Sequence, residues 1–128
     1  MNTNYIDVDG DKWGIVLITD YNEGDKEFLA ETMRSFGMRE KRIGYALKVI
    51  MTPNCGLCIT NSAVRMSAVF ISRTTSKSQF FNSIAHEMTH VASAITEYYD
   101  EPCDGESMAY LTGYLMQRVL EEITELNI

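Results

Sequence analysis

An α+β domain, with a small, mostly antiparallel sheet packed with three helices, is the fold class that three features of the sequence predict. The N-terminal half carries short β-branched and apolar runs in close succession. The C-terminal half carries two long stretches with apolar residues at helical spacing. A length of 128 residues is that of one domain able to bury a single core without staples. With no internal repeat, low-complexity tract or linker to divide them, residues 1–128 read as one unit.

The first strand is expected at Trp13-Gly14-Ile15-Val16-Leu17-Ile18-Thr19, a continuous apolar run of strand length ending in the turn-rich Asp20-Tyr21-Asn22-Glu23-Gly24. A first helix follows over Asp25 to Phe36, where Phe28, Leu29, Met33 and Phe36 recur at helical spacing and Gly37 supplies a stop. Gly44 to Met51 reads as a second strand halted by Thr52-Pro53-Asn54, although its Ala, Leu and Lys also suit a helix. Leu57 to Thr60 is a third strand, and Met66 to Arg73 a fourth. Their close spacing favours antiparallel hairpins.

The hydroxyl-rich loop Thr74 to Ser78 can cap a second helix through Ser76 or Ser78. Along that helix Phe80, Phe81, Ile84, Met88, Val91, Ile95 and Tyr98 form a core-facing stripe. Pro102 and Gly105 break the pattern. Asp104 is the natural N-cap of a last helix, whose stripe is Met108, Leu111, Leu115, Val119 and Ile123.

Charge and cysteine usage exclude several functions. A formal net charge of −7 with no basic run to offset it argues against a nucleic-acid partner. Met1 to Gly10 is polar and acidic, and no apolar run reaches the length of a signal segment or a membrane span, so a cytoplasmic location is expected. Cys55, Cys58 and Cys103 are an odd set in such a chain and are read as reduced thiols. Cys55 and Cys58 make a C-x-x-C, but neither a second pair nor a strand-then-helix context accompanies it, so both are taken as structural.

The chemistry is concentrated in His86-Glu87-Met88-Thr89-His90. These are the only two histidines of the chain, and they stand four residues apart. On a helix that spacing puts both imidazoles on one face, one turn apart, within reach of a single metal ion. Neutral imidazole suits zinc, and Glu87 beside it can serve as the general base that takes a proton from water. A catalytic zinc needs a third protein ligand. Glu97 lies seven residues beyond His90, which is about 10 Å up the same helix and too far. Glu106, sixteen residues after His90 at the start of the next helix, can complete a His2Glu set. Cys103 remains a rival ligand, and a plain helix-dipole role for Glu106 needs no metal.

The pentapeptide followed by Glu106-Ser107-Met108-Ala109-Tyr110-Leu111-Thr112-Gly113-Tyr114-Leu115 resembles the gluzincin-type zincins, and is closest to small zincin-like proteins encoded by phages and prophages. Ser93 and Thr96 stand where a metzincin would have Gly and His. The resemblance covers about residues 66 to 118 and implies a minimal zincin-like core, with the metal site between the two C-terminal helices. It further implies zinc on His86, His90 and Glu106, Glu87 as general base, and an edge strand, at Met66 to Arg73, that pairs with an extended peptide or protein substrate. The activity implied is that of a metallopeptidase, a zinc hydrolase. With no third histidine, an oxyanion donor would come from an arginine, from the metal, or from a tyrosine such as Tyr98, Tyr99, Tyr110 or Tyr114. A non-catalytic zinc-binding module, or a phage-derived regulator acting through a partner, is the alternative. No oligomeric state follows from the sequence.

Overall fold

The computed structural model describes residues 1–125, which form a four-stranded mixed sheet and four α-helices. In chain order these are β1 (Asn2–Val8), β2 (Trp13–Thr19), α1 (Lys26–Ser35), α2 (Glu40–Ile50), β3 (Gly56–Asn61), β4 (Met66–Ile71), α3 (Lys77–Tyr98) and α4 (Gly105–Glu125). The sheet order is β1-β2-β4-β3. Both outer pairs are antiparallel and the central β2–β4 pair is parallel, so the small, mostly antiparallel α+β class holds.

Helices cover both faces of this sheet, because its strands are apolar on both sides. Ile6, Val8, Trp13, Ile15, Leu17, Val69 and Ile71 point to one face, where Ile84, Met88, Val91, Ala92 and Ile95 of α3 and Leu115, Val119 and Ile123 of α4 close over them. Ile18, Ala68 and Phe70 point to the other, against Leu29 and Met33 of α1 and Ile43, Ala46 and Ile50 of α2. Trp13 is anchored within the first core by an indole N–H that donates to Ser67 Oγ at 3.1 Å.

Three expectations are corrected. Gly44 to Met51 is not a strand but the greater part of α2, which makes four helices rather than three. Ile43, Ala46 and Ile50 are the buried positions, spaced three and four apart, so the helical period outweighs the strand-like composition. Asn2–Val8, read only as a polar N-terminus, is β1. Its hairpin with β2 turns through Asp9, Gly10 and Asp11, all at positive φ, and only Ile6 and Val8 of the strand are fully buried. Finally, Met66 to Arg73 is no edge strand. β4 ends at Ile71 and lies between β2 and β3, with every residue after Met66 buried, as befits an apolar run with neighbours on both sides. The edge beside α3 belongs to β3.

Candidate metal centre

Ser76 starts α3 by accepting a hydrogen bond from the Gln79 backbone N–H at 3.1 Å, and from that cap the helix runs on to Tyr98. Its buried residues after the first turns are Ser83, Ile84, Glu87, Met88, Val91, Ala92, Ile95 and Thr96. His86 and His90 fall outside that set and are exposed, with ring centroids 5.1 Å apart. Glu87, between them in sequence, is only 3% exposed and is the one buried acidic or basic side chain among the described residues.

That burial has an electrostatic consequence. Loss of water around the Glu87 carboxyl raises its pKa above the ordinary glutamate value, while His86 and His90 pull in the opposite direction. The carboxylate oxygen Oε2 lies 3.9 Å from His86 Nε2. A desolvated carboxylate held beside two imidazoles is a stronger base than a solvated one.

The strand above the helix explains the burial. At Gly56, the first residue of β3, a side chain would put its Cβ 2.8 Å from Glu87 Oε2, 3.1 Å from Glu87 Cγ and 3.1 Å from the Phe70 carbonyl oxygen. Only glycine lets the edge strand pass this close to the carboxylate. The approach is fixed from both ends. Ser72 Oγ accepts from the Cys55 N–H at 2.9 Å and donates to the Thr52 carbonyl at 2.7 Å, while the Ser72 N–H donates to the Cys55 carbonyl at 3.0 Å. Asn54, at a left-handed φ of 62°, accepts from the Thr75 N–H at 3.0 Å, tying the start of β3 to the loop that enters α3.

Between these segments lies a cleft of about 270 Å³ lined by Asn54, Cys55, Gly56, Ser83, His86 and Glu87. It opens between α3 and β3, on the sheet-edge side of the helix rather than toward α4. One donor atom each from His86, Glu87 and His90 lie within 4.8 Å of one another, so this group could hold a metal ion. Two ligand atoms about 2.0–2.2 Å from one ion stand no more than about 4.4 Å apart, and rotation of the two exposed imidazoles closes the difference.

Glu106 is not among these clustered donors. It is exposed in the first turn of α4, which Asp104 caps by accepting from the Ser107 N–H at 2.9 Å. The same side-chain and backbone bonds from Ser107 hold the Asp104 carboxyl below its ordinary pKa. Thr96 Oγ1 meets Met108 Sδ at 3.4 Å, and Thr96 is about 9 Å along the axis from His90, so the first turn of α4 packs beyond the histidines. Neither Glu106 nor Cys103 belongs to the clustered donors.

The tyrosines named as oxyanion donors also sit away from the cleft. Tyr98 packs edge-on against Trp13, the Tyr99 hydroxyl donates to the Lys12 carbonyl at 2.7 Å, that of Tyr114 donates to Asp9 at 2.9 Å, and Tyr110 is exposed. The buried tyrosine is a different one, and it lines a separate hollow with Ile50, Met51 and Arg73. Tyr21, just past the C-terminal end of β2, has a buried hydroxyl with no hydrogen-bond partner. Its pKa is raised chiefly by burial, then by the charges of Cys55 and Glu87.

Compared with protein-family models, curated proteins and solved structures, the chain matches none. Among the described residues no helix is long and apolar enough to cross a membrane.

Proposed function

We propose that this domain is a zinc-dependent metallopeptidase of the gluzincin type, acting on a cytoplasmic peptide or protein substrate, with Glu87 as general base. The observation that carries the proposal is a buried carboxylate between two exposed, clustered imidazoles in a cleft beside a sheet edge. When bound, zinc supplies Lewis acidity that makes water a nucleophile near neutral pH. His86 and His90 would hold the metal, and Glu106, in the first turn of the neighbouring helix α4, is the proposed third ligand. Glu87 takes the proton as a water oxygen bonds to the peptide carbonyl carbon, then returns it to the amine nitrogen as the C–N bond breaks. The free edge of β3 receives the substrate backbone as an added strand.

A metal-binding module without turnover, of the kind a phage-derived regulator would use, is the alternative. One observation favours it: the third donor already clustered with the histidines is Glu87 itself, which a metal would consume as a ligand. Glu87→Gln separates the two. For an enzyme the variant keeps zinc, measured by elemental analysis, and loses cleavage of a peptide library. For a module the variant loses zinc, and the zinc-loaded wild type cleaves nothing.

A further inference from the structure

A second hollow, of about 470 Å³, runs along the same strand farther from the histidines. Its floor is apolar, formed by Leu57 and Ile59 of β3 with Phe36 and Met38 from the α1–α2 connection. Arg39 and Arg42 stand at its rim. Both residues are exposed, and among the described residues neither makes an ion pair or hydrogen bond through its side chain, in contrast to nearby Arg34, which pairs with Glu31 and Glu40. The rim is also where α2 begins, and that end of an 11-residue helix has no side-chain cap, so its first N–H groups add to the positive field. Two arginines without an ion-pair partner among the described residues, at an uncapped helix N-terminus, are a marked local reversal in a chain of net charge −7.

The ladder fixes how an extended chain would meet this hollow. The Ser72 N–H bonds to the Cys55 carbonyl, and bonded residues alternate along an antiparallel pair. Gly56, Cys58 and Thr60 therefore turn their backbone groups to the open edge. A strand added there points alternate side chains to opposite faces, one set toward α3 and the other into the hollow between β3 and α2.

We propose that this hollow is the specificity site for the peptide bound along β3, and that it takes acidic side chains at alternate positions, with their aliphatic stems on Leu57 and Ile59 and their carboxylates on Arg39 and Arg42. It rests on the peptide-binding part of the function proposed above, but not on catalysis. A second copy of this chain is a poor occupant, since edge-to-edge pairing of two β3 strands would bring like-charged arginine pairs toward each other.

The test is fluorescence anisotropy with labelled ten-residue peptides that alternate valine with glutamate, glutamine or lysine. Wild type, Glu87→Gln, Arg39→Gln/Arg42→Gln and Arg39→Glu/Arg42→Glu are compared, with circular dichroism to confirm folding. The glutamate peptide is expected to bind wild type and Glu87→Gln at least tenfold more tightly than the lysine peptide. The neutral double variant should abolish that preference and the acidic one reverse it. Equal binding of all three peptides by wild type, no binding of any, or a preference unchanged in both double variants would overturn the proposal, as would a wild-type dimer in sedimentation that the glutamate peptide fails to dissociate. Charge-selective binding without cleavage would leave the site standing and remove the peptidase. Cleavage with no charge preference would do the reverse.

Discussion

The two faces of the sheet are built from the same kind of apolar strand residue and differ in what else they bury. Against α1 and α2 the core is Ile18, Tyr21, Leu29, Met33, Ile43, Ala46, Ile50, Ala68 and Phe70, and the Tyr21 hydroxyl is buried there without a hydrogen-bond partner among the described residues. Against α3 and α4 the helices bring Ser83, Glu87 and Thr96 inside, and β4 contributes Ser67. Burying a carboxylate costs free energy that an apolar side chain at the same position would not. Among the described residues, only the second face buries a charged side chain.

The sharpest break in that comparison is Glu87→Gln. Removing a general base lowers cleavage by about 10²–10⁴-fold, measured as kcat/KM on the best library peptide. Because the buried carboxylate is lost with almost no change of shape, the apo variant should melt no lower than wild type in calorimetry. On the first face the signs exchange. Met33→Ala should cost about 2–5 kcal/mol in denaturant unfolding and leave zinc occupancy unchanged at temperatures where the variant is folded. A result in which Met33→Ala abolished zinc binding in a folded protein would erase the division between the faces.

Gly56→Ala lies where the division is narrowest. The new Cβ meets the Glu87 carboxylate and the rigid Phe70 carbonyl, so the strand or the base must shift. A loss of about 1–3 kcal/mol is expected, accompanied by a fall in activity greater than that of Met33→Ala measured under folding conditions. The mildest probe leaves the fold intact. Burial, and secondarily the Glu87 charge, push the Cys58 thiol up to about 12, so it is protonated at pH 8. Mass spectrometry after brief iodoacetamide treatment should find exposed Cys103 modified and Cys58 at least about a hundredfold slower. Rapid labelling of Cys58 would mean that β3 lifts off α3.

The sequence was most legible where one period dominated. The apolar stripes of α3 and α4, apart from exposed Tyr98, stand where spacing put them, as do the Ser76 and Asp104 caps, the β2 run and the start of β4. Legibility failed where apolar content was thin or mixed. β1 buries only two side chains outright, and α2 carries β-branched Ile43, Val49 and Ile50 within a helical period. The pairing of strands was also beyond local spacing. A hairpin rule joined β3 to β4 correctly, but the parallel contact of β2 with β4 spans the whole α1–α2 excursion, and it makes β3 the edge. At the site, His86, Glu87 and His90 were visible because a helix turn brings them together, whereas Gly56 and Asn54 come from a segment more than twenty residues away.

That parallel pair has a consequence for how the molecule comes into being. Gly14 pairs with Met66 and Ile18 with Phe70, partners fifty-two residues apart, so loop closure must precede any reward from the central ladder. β3 has no sheet neighbour except β4, and the histidines emerge from synthesis only after both. No nascent fragment that stops short of α3 can carry the base or its cleft, and an isolated α3–α4 peptide lacks the strand that shields Glu87. The proposed site therefore cannot be assembled until β3, β4 and α3 have all been synthesised.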